Sequence, residues 1–140
     1  MTEFIFTLKF GILVVLIMGI AIPFVIADVL RNWALGAPKR EGFASWMGCE
    51  QRGRVMENGQ PYVPESLVCA SWDHEIGTML RVTNRENGLS VLARVSDRGP
   101  DKALYRAGRV IELSERAFDV IADPRVGVVA VSIAVKGDSY

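Results

Sequence analysis

The sequence predicts a mainly β fold, a compact barrel with one short helix, preceded by a single membrane-spanning helix. Two Asn-Gly pairs, at 58–59 and 87–88, lie between short apolar segments, which is typical of β-hairpins. After the second pair, Val91, Ala93 and Val95 recur at every second position, so one face of that strand is expected to be buried. The apolar run at 10–27 shows no such alternation and predicts a long helix instead.

The amino-terminal segment has the composition of a membrane anchor. Residues 10–27 carry no charged or hydrogen-bonding side chain and come close to the roughly 20 residues that span a bilayer. A domain of about 100 residues has no interior that could bury such a helix on every side. We therefore expect an anchor over 1–30, with the transmembrane helix at about 10–30, and a linker over 31–41. The alternative is a cleaved signal peptide, since residues 25–27 resemble a cleavage site.

The remaining chain predicts short strands and one helix, which together form a barrel domain over 42–136. Ser114 is a suitable N-cap for a helix over 115–121 that ends near Pro124. Five segments that are apolar or β-branched and bounded by turn signals are predicted to be strands: residues 42–47, 78–84, 90–96, 110–113 and 127–135.

The charge balance argues against nucleic acid as a partner. Residues 41–140 contain 14 acidic and 12 basic side chains, which leaves no basic footprint for phosphate backbones. The chain has no phosphate loop, dinucleotide fingerprint or nucleophile elbow, and one histidine with two separated cysteines does not suggest a zinc site. We expect no cofactor and no metal, and the sequence identifies no protein partner.

The two cysteines bear on the compartment. Cys49 and Cys69 are a disulfide candidate if the domain lies in an oxidising compartment, and two buried thiols are the alternative. Arg31, Lys39 and Arg40 follow the apolar run, and positive-charge counting mildly favours a cytoplasmic carboxyl end. A disulfide would favour the opposite orientation.

A dense polar cluster surrounds Asp97, within residues 95–100. The carboxyl group follows a strand that is expected to be buried and lies in a Gly-Pro turn, a position that can display an acid at the barrel surface. The alternative is a structural role, in which Asp97 caps the turn and pairs with Arg98 or Arg94.

Four segments carry a resemblance to a known family: residues 42–48, 53–62, 74–100 and 108–117. With their Gly-Thr, Val-Thr-Asn, Asn-Gly, Asp-Arg-Gly-Pro and Leu-Ser elements, they resemble in order and spacing the rare lipoprotein A family of septal lytic transglycosylases. That family has a double-psi β-barrel related to barwin and the expansins. The resemblance implies a six-stranded double-psi β-barrel here.

The resemblance also implies an activity, cleavage of peptidoglycan between N-acetylmuramic acid and N-acetylglucosamine without water, which leaves a 1,6-anhydro end. Asp97 matches the family's aspartate and is the expected acid/base. One carboxyl group can protonate the glycosidic oxygen and then accept the proton of the C6 hydroxyl. The carboxylate pair of a hydrolase is not required.

The sequence departs from the family pattern near this aspartate. Ser71 stands at the position of the family histidine, so His74 and Asp73 are considered for supporting roles. Met47 stands where the family commonly has tyrosine. Four side chains remain candidates for substrate binding, the aromatic ones because flat apolar faces stack on sugar rings: Trp46, Tyr62, Trp72 and Arg98.

The first functional hypothesis is a membrane-anchored lytic transglycosylase. The alternatives are a non-catalytic peptidoglycan-binding or expansin-like module and a structural envelope or virion protein. The expected location is the inner membrane, in a single pass, with the barrel facing the periplasm, where peptidoglycan lies. Secretion after signal-peptide cleavage and a viral membrane are the alternatives, and a bacteriophage source is as compatible with the sequence as a bacterial one.

Overall fold

The structure is a computed structural model and describes residues 40–136. Two short α-helices, α1 (Lys102–Arg106) and α2 (Glu115–Ile121), and two 3-10 turns, Cys49–Gln51 and Pro124–Val126, connect the strands. Six strands form the sheet: β1 (Arg40–Met47), β2 (Val68–Ala70), β3 (Met79–Asn84), β4 (Ser90–Asp97), β5 (Arg109–Ser114) and β6 (Val129–Val135).

The six strands close into a barrel in the order β1-β5-β2-β4-β3-β6. The pairs β1/β5 and β2/β4 are parallel, and the other neighbouring pairs are antiparallel. This closed, mixed barrel with little helix confirms the predicted fold class and is consistent with the double-psi topology.

The five strands predicted from the sequence are present, with ends within two residues of the predicted ones. Strand β2 was not predicted because its three residues are too few to show a periodicity. Helix α1 was not predicted either, since only one helix was expected in the barrel domain. Asp101 caps α1 by accepting a hydrogen bond from the Ala103 amide.

The predicted anchor and most of the linker lie outside the described residues, and β1 already begins at Arg40, before the predicted domain boundary. Between residues 40 and 136, no helix is long and apolar enough to cross a bilayer.

The barrel encloses one main hydrophobic core. Alternate residues of the strands point inward, and α2 adds Ala117, Phe118 and Ile121, all fully buried. Ser114 fixes the start of α2 because its hydroxyl accepts a hydrogen bond from the Ala117 amide. Because apolar side chains fill the barrel interior, its outer strand faces and its loops are left to form a site.

The candidate disulfide between Cys49 and Cys69 is not formed. Both cysteines are free thiols: Cys49 is exposed in the first 3-10 turn, whereas Cys69 is buried in the barrel core. Strand alternation explains the difference, since Cys69 occupies an inward position of β2 and packs among apolar side chains. The argument for an oxidising compartment that rested on this pair is therefore lost.

Candidate functional site

A row of paired residues crosses the outer face of four neighbouring strands. Ser45 of β1 pairs with Glu112 of β5, Glu112 pairs with Ala70 of β2, and Ala70 pairs with Asp97 of β4. Residues Ile111 and Leu113 lie in the core, so Glu112 between them faces outward. The register thus brings two carboxyl groups to either side of one alanine.

The loop that follows β1 covers one side of this row. Met47, Met56, Tyr62 and Ala70 form a second small hydrophobic cluster between the loop and the barrel. Tyr62 is fully buried, and its hydroxyl donates to the Met47 carbonyl at 2.6 Å. This cluster fixes the loop against the outer strand face.

Arg54 extends from the same loop to Asp97. Its Nη2 atom lies 2.5 Å from Asp97 Oδ2 in a salt bridge, although Arg54 is partly exposed and Asp97 is nearly buried. The other carboxylate oxygen accepts the backbone amides of Glu57 at 3.0 Å and Arg98 at 2.9 Å. Three donors therefore surround Asp97, an arrangement that complements a negatively charged carboxylate.

The structural alternative predicted that Asp97 pairs with the side chain of Arg98 or Arg94, and neither side chain contacts the carboxylate. Arg98 points away from the carboxylate and donates from Nη1 to the carbonyls of Ser71 at 3.1 Å and His74 at 2.7 Å. Arg94 donates to the Gly77 carbonyl at 3.3 Å. Arg98 thus positions the loop after β2, and its predicted contact with substrate would have to come from its remaining donors.

The loop after β2 adjoins Asp97. The Ser71 amide donates to the Asp97 carbonyl at 3.1 Å, and the fully buried Ser71 hydroxyl lies 3.2 Å from His74 Nδ1. Burial lowers the pKa of His74, which favours the neutral imidazole. The loop therefore places an imidazole beside Ser71, the serine predicted to stand at the position of the family histidine.

Asp73 is engaged on the far side of this loop. Its carboxylate forms a salt bridge with Arg40 Nε at 2.8 Å and accepts a short hydrogen bond from the Tyr105 hydroxyl. Neither His74 nor Asp73 makes a hydrogen bond to Asp97 within residues 40–136. A supporting role for either residue in catalysis remains a prediction.

The three predicted aromatic platforms differ in their exposure to solvent. Trp72 is 39% exposed, and its indole nitrogen donates to the Pro100 carbonyl at 2.6 Å. Trp46 packs against the barrel core and Phe118 and donates to the Pro124 carbonyl. Tyr62 is buried. The fully buried Tyr62 ring has no surface left for stacking on a sugar, whereas Trp46 is only partly buried and its stacking role stays a prediction.

Glu112 is the residue that the sequence analysis missed. Burial raises its pKa, only partly offset by Arg109, and the Ser45 hydroxyl lies 3.5 Å from Oε1. A Cβ atom at Gly99 would lie 3.2 Å from Glu112 Oε2, so the backbone of the Asp97 turn passes directly over this carboxyl group. A single acid within an apolar strand was the available sequence signal.

The two carboxyl groups of the site lie in different surroundings. Glu112 is half-buried in a setting that favours its neutral form, while Asp97 is held by charged and polar donors. Two carboxyl groups in such different surroundings suit opposite roles in proton transfer. Within the described residues, no three His, Cys, Asp or Glu side chains converge as metal ligands would.

Comparison with known proteins identifies the family. The model of the family described as lytic transglycolase matches residues 39–133. A probable endolytic peptidoglycan transglycosylase RlpA of Nostoc sp. is 39% identical over 99 residues, which are 69% of this chain and 26% of the relative. An uncharacterized protein of Synechocystis sp. is 43% identical over 90 residues, 64% of this chain and 91% of that protein.

A solved structure shows the same fold. An expansin of Clavibacter michiganensis, crystallised as a mutant with cellohexaose, superimposes with a TM-score of 0.54 at 21% identity, covering 74% of this chain and 52% of the expansin. The chain spans about a quarter of the length of the first curated relatives that it matches. On the family match and the closed six-stranded barrel together, the chain belongs to the lytic transglycolase family and carries an RlpA-like double-psi β-barrel.

Proposed function

We propose that this protein is a peptidoglycan lytic transglycosylase that cleaves the bond between N-acetylmuramic acid and N-acetylglucosamine. The observation that carries the proposal is the position of Asp97, whose carboxylate is held by Arg54 and two backbone amides beside a second, half-buried carboxyl group. The family membership supports the reaction class, since the Nostoc relative is named as a probable endolytic peptidoglycan transglycosylase.

The reaction needs two proton transfers and no water. As the glycosidic bond breaks, the leaving oxygen takes a proton, and the C6 hydroxyl then loses its proton as its oxygen bonds to C1. A single carboxyl group can serve both transfers in turn, and Asp97 is the residue expected for that role.

The different surroundings of Glu112 and Asp97 favour a mechanism in which each carboxyl group performs one of the two proton transfers. Glu112, whose pKa is raised by burial, suits the donation of a proton to the leaving oxygen. Asp97, with its three donors, suits stabilisation of the developing positive charge at C1 and acceptance of the C6 hydroxyl proton. One proton leaves Glu112 and one arrives at Asp97, so exchange with solvent restores the starting state.

The anchor and location belong to the same proposal. The apolar run at 10–27 would tie the barrel to the inner membrane, in contact with the lipid bilayer, with the barrel in the periplasm. The location of peptidoglycan supports this orientation. Secretion of a cleaved form is the alternative, and both forms would bring the barrel to its substrate.

A second candidate function is glycan binding without cleavage. It is favoured by one observation, the replacement of the family histidine by Ser71, whose hydroxyl contacts His74 and not a catalytic carboxylate. Such a protein would use Trp72 as its exposed sugar platform and Asp97 as a structural group.

Incubation of the full-length chain with purified sacculi distinguishes the two functions. The proposed enzyme releases soluble muropeptides with 1,6-anhydro ends, which chromatography and mass spectrometry identify. A binding module sediments with the sacculi and releases none, and that result would refute the enzyme proposal.

A further inference from the structure

Trp72 and Lys102 form an exposed pair beside the turn that carries Asp97. The hydrogen bond from the indole to the Pro100 carbonyl fixes the ring against this turn, and Lys102 Nζ lies 5.4 Å from the ring centroid. A cation at this distance is attracted by the electron-rich face of the ring. The ring and the charge are therefore held at one place.

The Lys102 ammonium group is not engaged by a carboxylate of the described residues. Asp101 uses its side chain to cap α1, where it accepts the Ala103 amide. Asp73 is engaged by Arg40 and Tyr105. Within residues 40–136, Lys102 forms no salt bridge. An exposed ammonium group beside an exposed indole is thus available to a ligand.

We propose that Trp72 and Lys102 form a subsite for a sugar that carries a carboxylate, next to the catalytic turn. The sugar ring would displace the Lys102 ammonium group from the face of the indole and stack there, and the sugar carboxylate would pair with the displaced ammonium group. The inference rests on the proposed function, recognition of peptidoglycan strands, and restricts the preferred ligands to strands that carry carboxylates. The carboxylate has two sources, the lactyl group of muramic acid and the peptide attached to it.

The subsite is coupled to the catalytic residue through the backbone. Pro100, which accepts the indole hydrogen bond, is three residues after Asp97, and Ser71, which precedes Trp72, donates its amide to the Asp97 carbonyl. A sugar on Trp72 is therefore placed relative to Asp97 by short, hydrogen-bonded segments. A neutral glycan gains only the stacking, whereas an anionic glycan also gains the ion pair.

The test compares three glycans on the full-length chain in detergent: strands that keep their peptides, strands stripped by an amidase to free the lactyl carboxylate, and neutral chitooligosaccharides. The variant Lys102→Gln keeps the size of the side chain and removes the charge. Lys136→Gln is the matched control, because Lys136 is the other lysine of the described residues and is exposed at the end of β6. Affinity is measured at low and high salt.

We expect Lys102→Gln to bind its anionic ligand about three-fold more weakly at low salt, with neutral glycan binding unchanged. The anionic strand that loses affinity, peptide-bearing or stripped, identifies the source of the carboxylate. Trp72→Ala should weaken all three glycans by about five-fold. An equal loss for neutral and anionic glycans in Lys102→Gln, or no loss at all, would overturn the subsite. Release of anhydro products by the wild-type protein is measured separately. If the protein cleaves no glycan but still binds glycans in a charge-dependent way, the enzyme proposal is refuted and the subsite is not.

Discussion

Arg54 and Asp97 are 43 residues apart in the sequence and form a salt bridge with 2.5 Å between Nη2 and Oδ2. The contact joins the loop after β1 to the end of β4, so the covering loop and the strand that carries the carboxylate are held as one unit. Because Asp97 is 5% exposed, its charge depends on this loop for compensation.

Removal of the Arg54 charge should reduce the stability of the protein. In Arg54→Gln, Asp97 keeps its two backbone donors and loses the charged one, so we expect the free energy of unfolding to fall by about 1 kcal/mol. Urea titration measures this change. Arg52→Gln is the control, since Arg52 pairs with Glu65 in the same loop and both side chains are exposed. Equal stability of the two variants would show that the Arg54 contact does not support Asp97.

Tyr62 is predicted to stabilise the fold without touching substrate. Tyr62→Phe leaves the ring in place but removes the donor to the Met47 carbonyl and the acceptor of the Glu115 amide. We expect the free energy of unfolding to fall by about 1–2 kcal/mol, with glycan affinity unchanged. Calorimetry and a sedimentation assay with sacculi measure the two quantities. A loss of affinity at unchanged stability would restore Tyr62 as a sugar platform.

The strands and the helix α2 were predictable because their signals are local. Alternation defines β4, and Ser114 with the following apolar positions defines α2. Strand β2 is too short for a pattern, and its position in the barrel depends on pairing with two strands distant in sequence. Local signals thus give the elements, and the closure of the barrel decides their neighbours.

Only part of the candidate site was predictable, because local sequence signals do not identify residues that meet through tertiary contacts. Asp97 stood out through a motif, whereas Arg54 and Glu112 become neighbours of Asp97 only through the strand register and the loop packing. The aromatic residues could not be sorted from the sequence, because a pattern of tryptophans and tyrosines does not distinguish a buried ring, such as that of Tyr62, from an exposed one, such as that of Trp72.

The two thiols should differ sharply in reactivity. Cys49 is exposed, whereas burial raises the pKa of Cys69 to about 12 and excludes reagents from its sulfur. We expect one thiol per chain to react with a disulfide reagent in the native protein and the second to react only after denaturation. Cys49→Ser should abolish the fast phase, and Cys69→Ser should leave it intact. A protein that yields no thiol until it is reduced would contain the disulfide after all.

The raised pKa of Glu112 predicts a pH-dependent stability. A carboxyl group whose pKa is higher in the folded than in the unfolded protein contributes stability that is complete below the unfolded value, 4.5, and is lost as pH rises through the folded value. Glu112→Gln should therefore stabilise the protein relative to wild type at pH 7 more than at pH 4. Chemical denaturation at the two pH values measures the difference. Glu115→Gln, at the start of α2, is the control.

The same variant tests the proposed proton donor. Glutamine cannot donate the proton of a carboxylic acid, so Glu112→Gln should slow release of anhydromuropeptides by about 10²-fold or more. If Glu112 is the proton donor, the wild-type rate should fall at the higher pH at which Glu112 ionises, and this fall should be absent from the residual activity of the variant. An unchanged rate with an unchanged pH profile would indicate that Asp97 performs both proton transfers.

Asp97→Asn should abolish the release of anhydromuropeptides from sacculi. Asparagine keeps the shape of the side chain but cannot accept the C6 hydroxyl proton, and it loses the charge that Arg54 and two amides hold in place. We expect a rate loss of about 10²–10⁴-fold and a decrease of about 1–3 kcal/mol in the free energy of unfolding, which leaves the domain folded. Chromatography of the soluble products and urea titration measure the two effects. Asp101→Asn is the control, because asparagine caps α1 as well as aspartate does and the substitution removes a carboxylate only four residues away. If Asp97→Asn loses activity only in proportion to the fraction unfolded, the carboxylate holds the loop and the turn together and takes no part in the chemistry.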